Sequence, residues 1–233
     1  RPLPQENPVE KRLRDLGNMQ LLPVNHVNYL IKMKNELGVV KPRVIYDIGA
    51  CVLHWTNVAK TIWPQAQFVV FEAMNETEFL YKEANLPYNL GLLSSEDGKV
   101  VDFYQNLEHP GGNSYYRENI TYSPDARFLF DDSKKVKKTT MTLDTVVARK
   151  GFPLPDLIKM DVQGAEMDIL KGAKETLKTC QDLILELQHV EYNTGAPMNE
   201  EVIGYLDSIG FRLVEGPFAE YSGDGDYHFT RYK

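Results

Sequence analysis

Five short apolar runs, each followed by a helix-like segment or a turn, constrain this chain more than any other feature. They are Val44–Ile48, Phe68–Phe71, Tyr88–Leu93, Asp156–Met160 and Leu183–Leu187. Runs of four to six apolar residues are too short for buried helices and have the length of strands covered on both faces. The stretches between them carry helical signals. Residues 52–63 stop before Pro64, residues 75–84 open with Asn75 as an N-cap and Glu78 three positions on, and residues 164–178 and 199–208 have helical periodicity. Strands alternating with helices imply right-handed βαβ units and a mainly parallel sheet.

The two ends of the chain depart from this rhythm. Residues 1–40 are expected as a helical lead-in, with Asn25 capping HVNYLIKMKNELG and Gly38 stopping it. An insertion interrupts the alternation at about 98–140; within it a polar, Gly/Asn/Tyr-rich segment running to about residue 133 separates the half-exposed strands Lys99–Tyr104 and Val136–Leu143. At the C-terminus, Phe211–Val214 and Tyr227–Tyr232 follow one another with only a Gly/Pro-rich loop between, which makes them an antiparallel hairpin. The expected fold is therefore α/β and Rossmann-like, a mainly parallel sheet closed by a C-terminal antiparallel hairpin. In element order it is similar to the class I methyltransferase fold. Residues 41–233 form the expected domain.

Composition narrows the partners. At 233 residues and a net charge of −7, the chain offers no broad phosphate-binding surface. The one basic run, Lys134–Lys138, is too short for a nucleic-acid patch and is expected to be solvated. No apolar run approaches the roughly 20 residues needed to span a bilayer. The N-terminal RPLPQENPVEKRLRD lacks a signal-peptide core. Only two cysteines occur, Cys51 and Cys180, so a disulfide framework is not expected, and a reducing, cytoplasmic location fits.

In open parallel sheets, ligands bind beyond the C-terminal strand ends. The first strand ends in Asp47-Ile48-Gly49-Ala50, a tight turn able to bring backbone N–H groups near a ligand. The second ends in Phe71-Glu72-Ala73, an acid placed to accept both hydroxyls of a ribose, and one that disfavours a 2′-phosphate. Gly91 and Leu92 at the third can flank an adenine. The fourth ends in Asp161, which leads into a helix start, with Glu166 read as an ordinary first-turn charge. The fifth ends in Glu186-Leu187-Gln188-His189, whose acid follows an apolar run and needs a partner. Asp161, Glu186 and His189 thus converge as catalytic candidates. Either His189 acts as a base oriented by a carboxylate, or Asp161 and Glu186 hold Mg²⁺, a hard ion suited to oxygen ligands. The segment Gly111–Tyr116 reads equally as a lid over a substrate or as a solvent loop.

These motifs carry a resemblance. DIGA at 47–50, FEA at 71–73, NLGLLSSEDGKVVDFY from Asn89, GGNS, TLDTV at 142–146 and DLIKMDVQGAEMDILKGA at 156–173 together resemble the FkbM-type methyltransferases. Families with this pattern carry K-x-D-x-E-G-x-E, where this chain has Gln163, and D-x-G-A-N-x-G, where it has Cys51 and Leu53. His54 or Trp55 is placed to supply a replacement contact. The resemblance implies S-adenosylmethionine as cofactor. Glu72 would sit on its ribose, and Asp47 and Gly49 would border the methionine part, alongside Ala50 and Ala73. It implies methyl transfer to a hydroxyl of a sugar, glycan or glycosylated small molecule. The competing expectations are an NAD-dependent oxidoreductase, which the incomplete glycine fingerprint and the hairpin disfavour, and an inactive methyltransferase-like scaffold or regulatory partner.

Overall fold

A computed structural model describes residues 5–233; the first four residues of the expected lead-in lie outside them. Two helices open the chain, α1 (Pro8–Met19) and α2 (Val24–Asn35). Asn7 caps α1 through a 2.8 Å hydrogen bond from the Val9 N–H. Asn25 does not cap α2. Pro23 takes that position, because its ring sets the backbone for helix entry two residues earlier.

There follow β1 (Val44–Ile48), α3 (His54–Ile62), β2 (Gln67–Glu72), α4 (Glu78–Glu83), β3 (Tyr88–Leu90), β4 (Leu92–Leu93) and β5 (Val100–Tyr104). Next come α5 (Ala126–Leu129), β6 (Lys135–Met141), α6 (Leu143–Lys150), β7 (Leu157–Met160), α7 (Glu166–Lys171), β8 (Asp182–Gln188), α8 (Asn199–Ser208), β9 (Phe211–Glu220) and β10 (Asp224–Arg231). The main sheet has seven strands in the order β3-β2-β1-β7-β8-β10-β9. Its first five are parallel, and β10 pairs antiparallel with both β8 and β9. The architecture is α/β with the class I methyltransferase closing hairpin.

Alternation along the strands divides the core. Tyr46, Val69, Phe71 and Ile158 face α6, α7 and α8, where they meet Val146, Ile169 and Leu206. Ile45, Phe68, Leu157 and Ile184 face the other way, onto Tyr29 and Leu30 of α2 and Trp55 and Ala59 of α3. The lead-in helix α2 and α3 together make the second helical layer of the sheet, and burying those two faces is the main drive for the fold.

Three expected elements divide. The run Tyr88–Leu93 breaks at Gly91, whose N–H bonds the Glu72 carbonyl. Leu92–Leu93 then leaves the main sheet and joins a small second one, β4-β6-β5, built from the insertion. Residues 75–84 begin as a 3₁₀ turn, Asn75–Thr77, and Asn75 makes no side-chain cap; Thr77 Oγ1 donates to the Met74 carbonyl instead. The helix expected over 164–178 stops at Lys171. A Cβ on Gly172 would sit 2.5 Å from the Ser94 carbonyl oxygen, so the chain there passes the β4 turn too closely for a helix with side chains. Of the basic run, Lys135 and Lys137 pair with Asp132 and Asp102. Lys138 is half-buried, its ammonium against the Ala73 carbonyl and the Phe103 ring.

Candidate active site

The turn after β1 is folded onto β2. Gly49 and Ala50 both donate their N–H to the Phe71 carbonyl, at 2.9 and 3.1 Å, so neither is available to a ligand. Gly49 is irreplaceable for another reason. Its φ is +80°, and a Cβ there would fall 2.0 Å from the Asp161 carbonyl oxygen. The close approach is clamped by the Asp161 N–H bonding the Ile48 carbonyl at 3.1 Å. Asp47 is fully buried. Its carboxylate accepts from Lys159 Nζ at 2.9 Å and from Thr56 Oγ1 at 2.5 Å, and it lines neither the cleft that Glu72 faces nor the cavity beside it. Alternation sends Asp47 and Lys159, direct partners on neighbouring strands, to the same face. Asp47 therefore supports the turn from behind.

Glu72 is held open-handed at the end of β2. Oε1 accepts the Cys51 N–H at 3.0 Å and Oε2 accepts the Met74 N–H at 2.8 Å. Each oxygen keeps a lone pair directed elsewhere. Burial raises this carboxyl's pKa, and the backbone N–H groups partly oppose the rise. Glu72 faces a cleft of about 730 Å³, mouth included, which Gly49, Ala73, Gly91 and Leu92 also line. Ala50 is buried outside it. Ile48, Phe71, Leu93, Phe103 and Ile169 make its apolar walls. An apolar slot ending in a two-oxygen acceptor matches a nucleoside, with the base in the slot and the ribose diol on the acid.

The segment Gly111–Tyr116, readable from sequence either as a lid or as a solvent loop, lies over this cleft. Pro110, Gly111 and Asn113–Tyr115 line it. Ser114 Oγ donates to the Gln163 carbonyl at 2.8 Å, and the Tyr115 and Tyr116 hydroxyls both donate to Asp168 Oδ2, at 2.7 and 2.6 Å.

A second cavity, about 770 Å³ with its mouth, adjoins the first. Gln20, His54 and Asp161 line both. Its remaining wall includes His26 from the lead-in, Lys159 and Glu186 from the sheet, and Tyr221 and Asp226 from the hairpin. The structure thus brings Asp161 and Glu186 to one cavity. His189 is elsewhere. It is exposed, it lines neither cavity, and its N–H bonds the Gly223 carbonyl at 3.1 Å. Burial, together with Asp161 and Asp224, raises Glu186 well above the usual carboxylate range, and Asp224 is pushed up to about 6. Glu166 is no solvated first-turn charge. It is buried, accepts the Val162 and Gly164 N–H groups at 3.3 and 3.0 Å, and is pushed up to about 8, first by burial.

The donor set does not fit Mg²⁺. Gln163 Nε2 donates to Asp161 Oδ1 at 2.9 Å and lies 3.4 Å from Glu186 Oε1, so an N–H group stands between the two acids. Among the described residues no group of three or more His, Cys, Asp or Glu side chains is placed to hold a metal.

A family model for the methyltransferase FkbM domain matches residues 47–213, more than half of the chain. The chain belongs to the FkbM methyltransferase family. A search of curated proteins found no match. Among solved structures, the chain is similar to a Klebsiella pneumoniae protein provisionally described as an O-methyltransferase. The identity is 12%, the TM-score 0.51, and 99% of this chain and 92% of that one are covered. It is also similar to a Lactococcus lactis protein provisionally described as a hemolysin, at 11% identity and TM-score 0.51, covering 92% and 90%. At such identities the likeness is one of fold.

The departures from the FkbM pattern have a backbone reading. Cys51 and Leu53, where the pattern has Asn and Gly, adopt φ of +48° and +68°. Asn and Gly are the residues that tolerate this left-handed region best. The chain keeps the loop's shape and carries the strain, while the Leu53 side chain packs with Val70 and Tyr81 instead of facing the cleft. Gln163 replaces an acid and supplies the N–H that links Asp161 to Glu186.

The sequence pointed to neither His26 nor Asp226 as site residues, because nothing local marks them. Their 2.8 Å contact joins positions 200 residues apart. No helix among the described residues is long and apolar enough to cross a membrane.

Proposed function

We propose that this FkbM methyltransferase uses S-adenosylmethionine to methylate a hydroxyl of a sugar, glycan or glycosylated small molecule. The observation that carries the reading is the pair of adjoining cavities with a shared wall. One ends in the two-oxygen acceptor Glu72; the other is lined by carboxyl, phenol and imidazole groups. Glu72 would take the ribose diol, Gly91 and Leu92 the adenine, and Gly49 and Ala73 the borders of the cofactor. S-adenosylmethionine, when bound, supplies a methyl group on a positively charged sulfur. The protein's part is alignment and proton removal, since an alcohol is a weak nucleophile at neutral pH.

The polar second cavity suits a polyhydroxylated acceptor, whose several O–H groups can pair with Glu186, Tyr221 and Asp226. Asp161, between the cavities, would position the reacting hydroxyl.

Calorimetry with S-adenosylhomocysteine tests the cofactor assignment. Binding in the wild type and a loss of about 10- to 100-fold in Glu72→Ala are expected, the worth of one or two hydrogen bonds to a charged group. No binding by folded wild type would favour the scaffold reading instead. Methyl transfer from labelled S-adenosylmethionine to a panel of methyl glycosides tests the acceptor class. Asp161→Asn is expected to lower turnover far more than cofactor affinity.

A further inference from the structure

The chain has five histidines. His189 and His109 are exposed and line neither cavity. His228 is committed on both nitrogens, to the Tyr29 hydroxyl at 2.9 Å and to Asp182 at 2.8 Å. His26 is committed likewise. Its Nε2 accepts from Trp55 Nε1 at 2.9 Å, and its Nδ1 bonds Asp226 at 2.8 Å. His54 remains. Its ring makes no hydrogen bond among the described residues, and its Nδ1 is buried without a partner. The side chain stands in the wall common to both cavities. With Nδ1 enclosed, Nε2 is the nitrogen the cavities reach. A neutral ring that accepts a proton on Nε2 carries its own hydrogen on the enclosed Nδ1.

We propose that His54 is the general base of the reaction, taking the acceptor's hydroxyl proton on Nε2 at the junction of the two cavities. The proposal rests on the methyltransferase reading above and replaces His189 in the role expected of a histidine. In the step, an acceptor oxygen lone pair forms the new O–CH₃ bond as the methyl–sulfur bond breaks. The sulfur keeps the electron pair and leaves as the neutral thioether of S-adenosylhomocysteine. The hydroxyl proton passes to His54 Nε2, and from the imidazolium to water.

The surroundings keep the ring neutral and ready to accept. Burial lowers the pKa of His54 below its ordinary value, and Lys159 from β7 and His26 from α2 lower it further. Asp47 from β1 and Asp161 after β7 oppose them without reversing the direction. His54 is also the first residue of the nine-residue helix α3, where the helix dipole disfavours a cation.

The experiment combines three measurements on the intact protein. In a proton–carbon NMR titration, the His54 ring is expected to titrate below about 6.5 and be neutral at pH 7. A ring protonated at pH 7 overturns the proposal. In calorimetry, His54→Gln is expected to bind S-adenosylhomocysteine within about threefold of the wild type, because the base does not hold the nucleoside. A collapse of that affinity reassigns His54 to cofactor binding. Against methyl glycosides of glucose, mannose, rhamnose and fucose, His54→Gln is expected to lose about 100-fold or more in kcat, with partial rescue of His54→Ala by added imidazole. Wild-type turnover in either variant overturns the proposal. If the wild type binds S-adenosylhomocysteine but methylates none of these probes, the NMR titration decides. If it binds none, the methyltransferase reading fails first and visibly.

Discussion

Asp47 and Lys159 lie side by side on adjacent parallel strands and form a buried ion pair of 2.9 Å directly behind the turn after β1. Burial alone would lower the Lys159 pKa, but Asp47, Asp161 and Glu186 outweigh it, and the ammonium stays charged. The pair holds β1 to β7 where Gly49 must pass the Asp161 carbonyl.

Removing one partner of such a pair leaves a buried charge uncompensated. Asp47→Asn should therefore destabilise the fold by about 3–5 kcal/mol. Denaturant unfolding measures this, while S-adenosylhomocysteine affinity per folded molecule should change little. Unchanged stability with lost affinity would return Asp47 to the ligand site.

Leu53→Gly sets backbone against core. The substitution relieves a left-handed strain of about 1–2 kcal/mol. It also removes a side chain only 4% exposed, whose loss costs about 2–5 kcal/mol. The core term should win, giving a net loss of about 1–3 kcal/mol in chemical denaturation. A stabilised variant would show that strain dominates this loop.

Glu166 makes a pH prediction. Its carboxyl titrates at about 8 in the folded protein against 4.5 as the ordinary value. Between those values the folded state retains a proton that the unfolded chain has released. Its contribution is fully present below the unfolded pKa and is lost as pH rises through the folded one. Thermal unfolding should show stability falling from about pH 4.5 to about pH 8, and Glu166→Gln should flatten that slope. Asp224, pushed up to about 6, adds slope at the lower end, and Glu186, raised well above its ordinary value, adds slope upward from about pH 4.5, in either protein. An identical slope in the variant would refute the assignment.

Asp168 anchors two tyrosines of the segment over the cleft that Glu72 faces. Asp168→Ala should free residues 110–116, seen as faster amide exchange there, and weaken S-adenosylhomocysteine binding by about tenfold, the worth of one hydrogen bond to a charged group. Unchanged exchange would show that the Ser114–Gln163 contact suffices.

Much of the frame was legible because it rests on local patterns. Apolar runs of strand length and the helix-less C-terminal pair announced the parallel sheet and its hairpin. Glu72 stood out as an acid closing an apolar strand, and residues 156–173 carried the family resemblance. Boundaries slipped where a contact from elsewhere intervened, as at Gly172 against the Ser94 carbonyl or at Gly91 bonding Glu72. Glu166 differs from the sequence reading because its carboxylate folds back onto the Val162 and Gly164 N–H groups of its own loop and is buried there, whereas first-turn helix acids are ordinarily solvated.

The sequence by itself determined the order of elements, the sign of the surface and the acid at the end of β2. Tertiary structure decided which polar groups are committed and which are free. Asp47 is spent on Lys159 and His26 on Asp226, while His54 stands in the wall of two cavities with no partner for its Nδ1 among the described residues. Periodicity tells which face a side chain takes but not what waits on that face. The partners here come from strands and helices up to 200 positions away, joined only when the sheet closes.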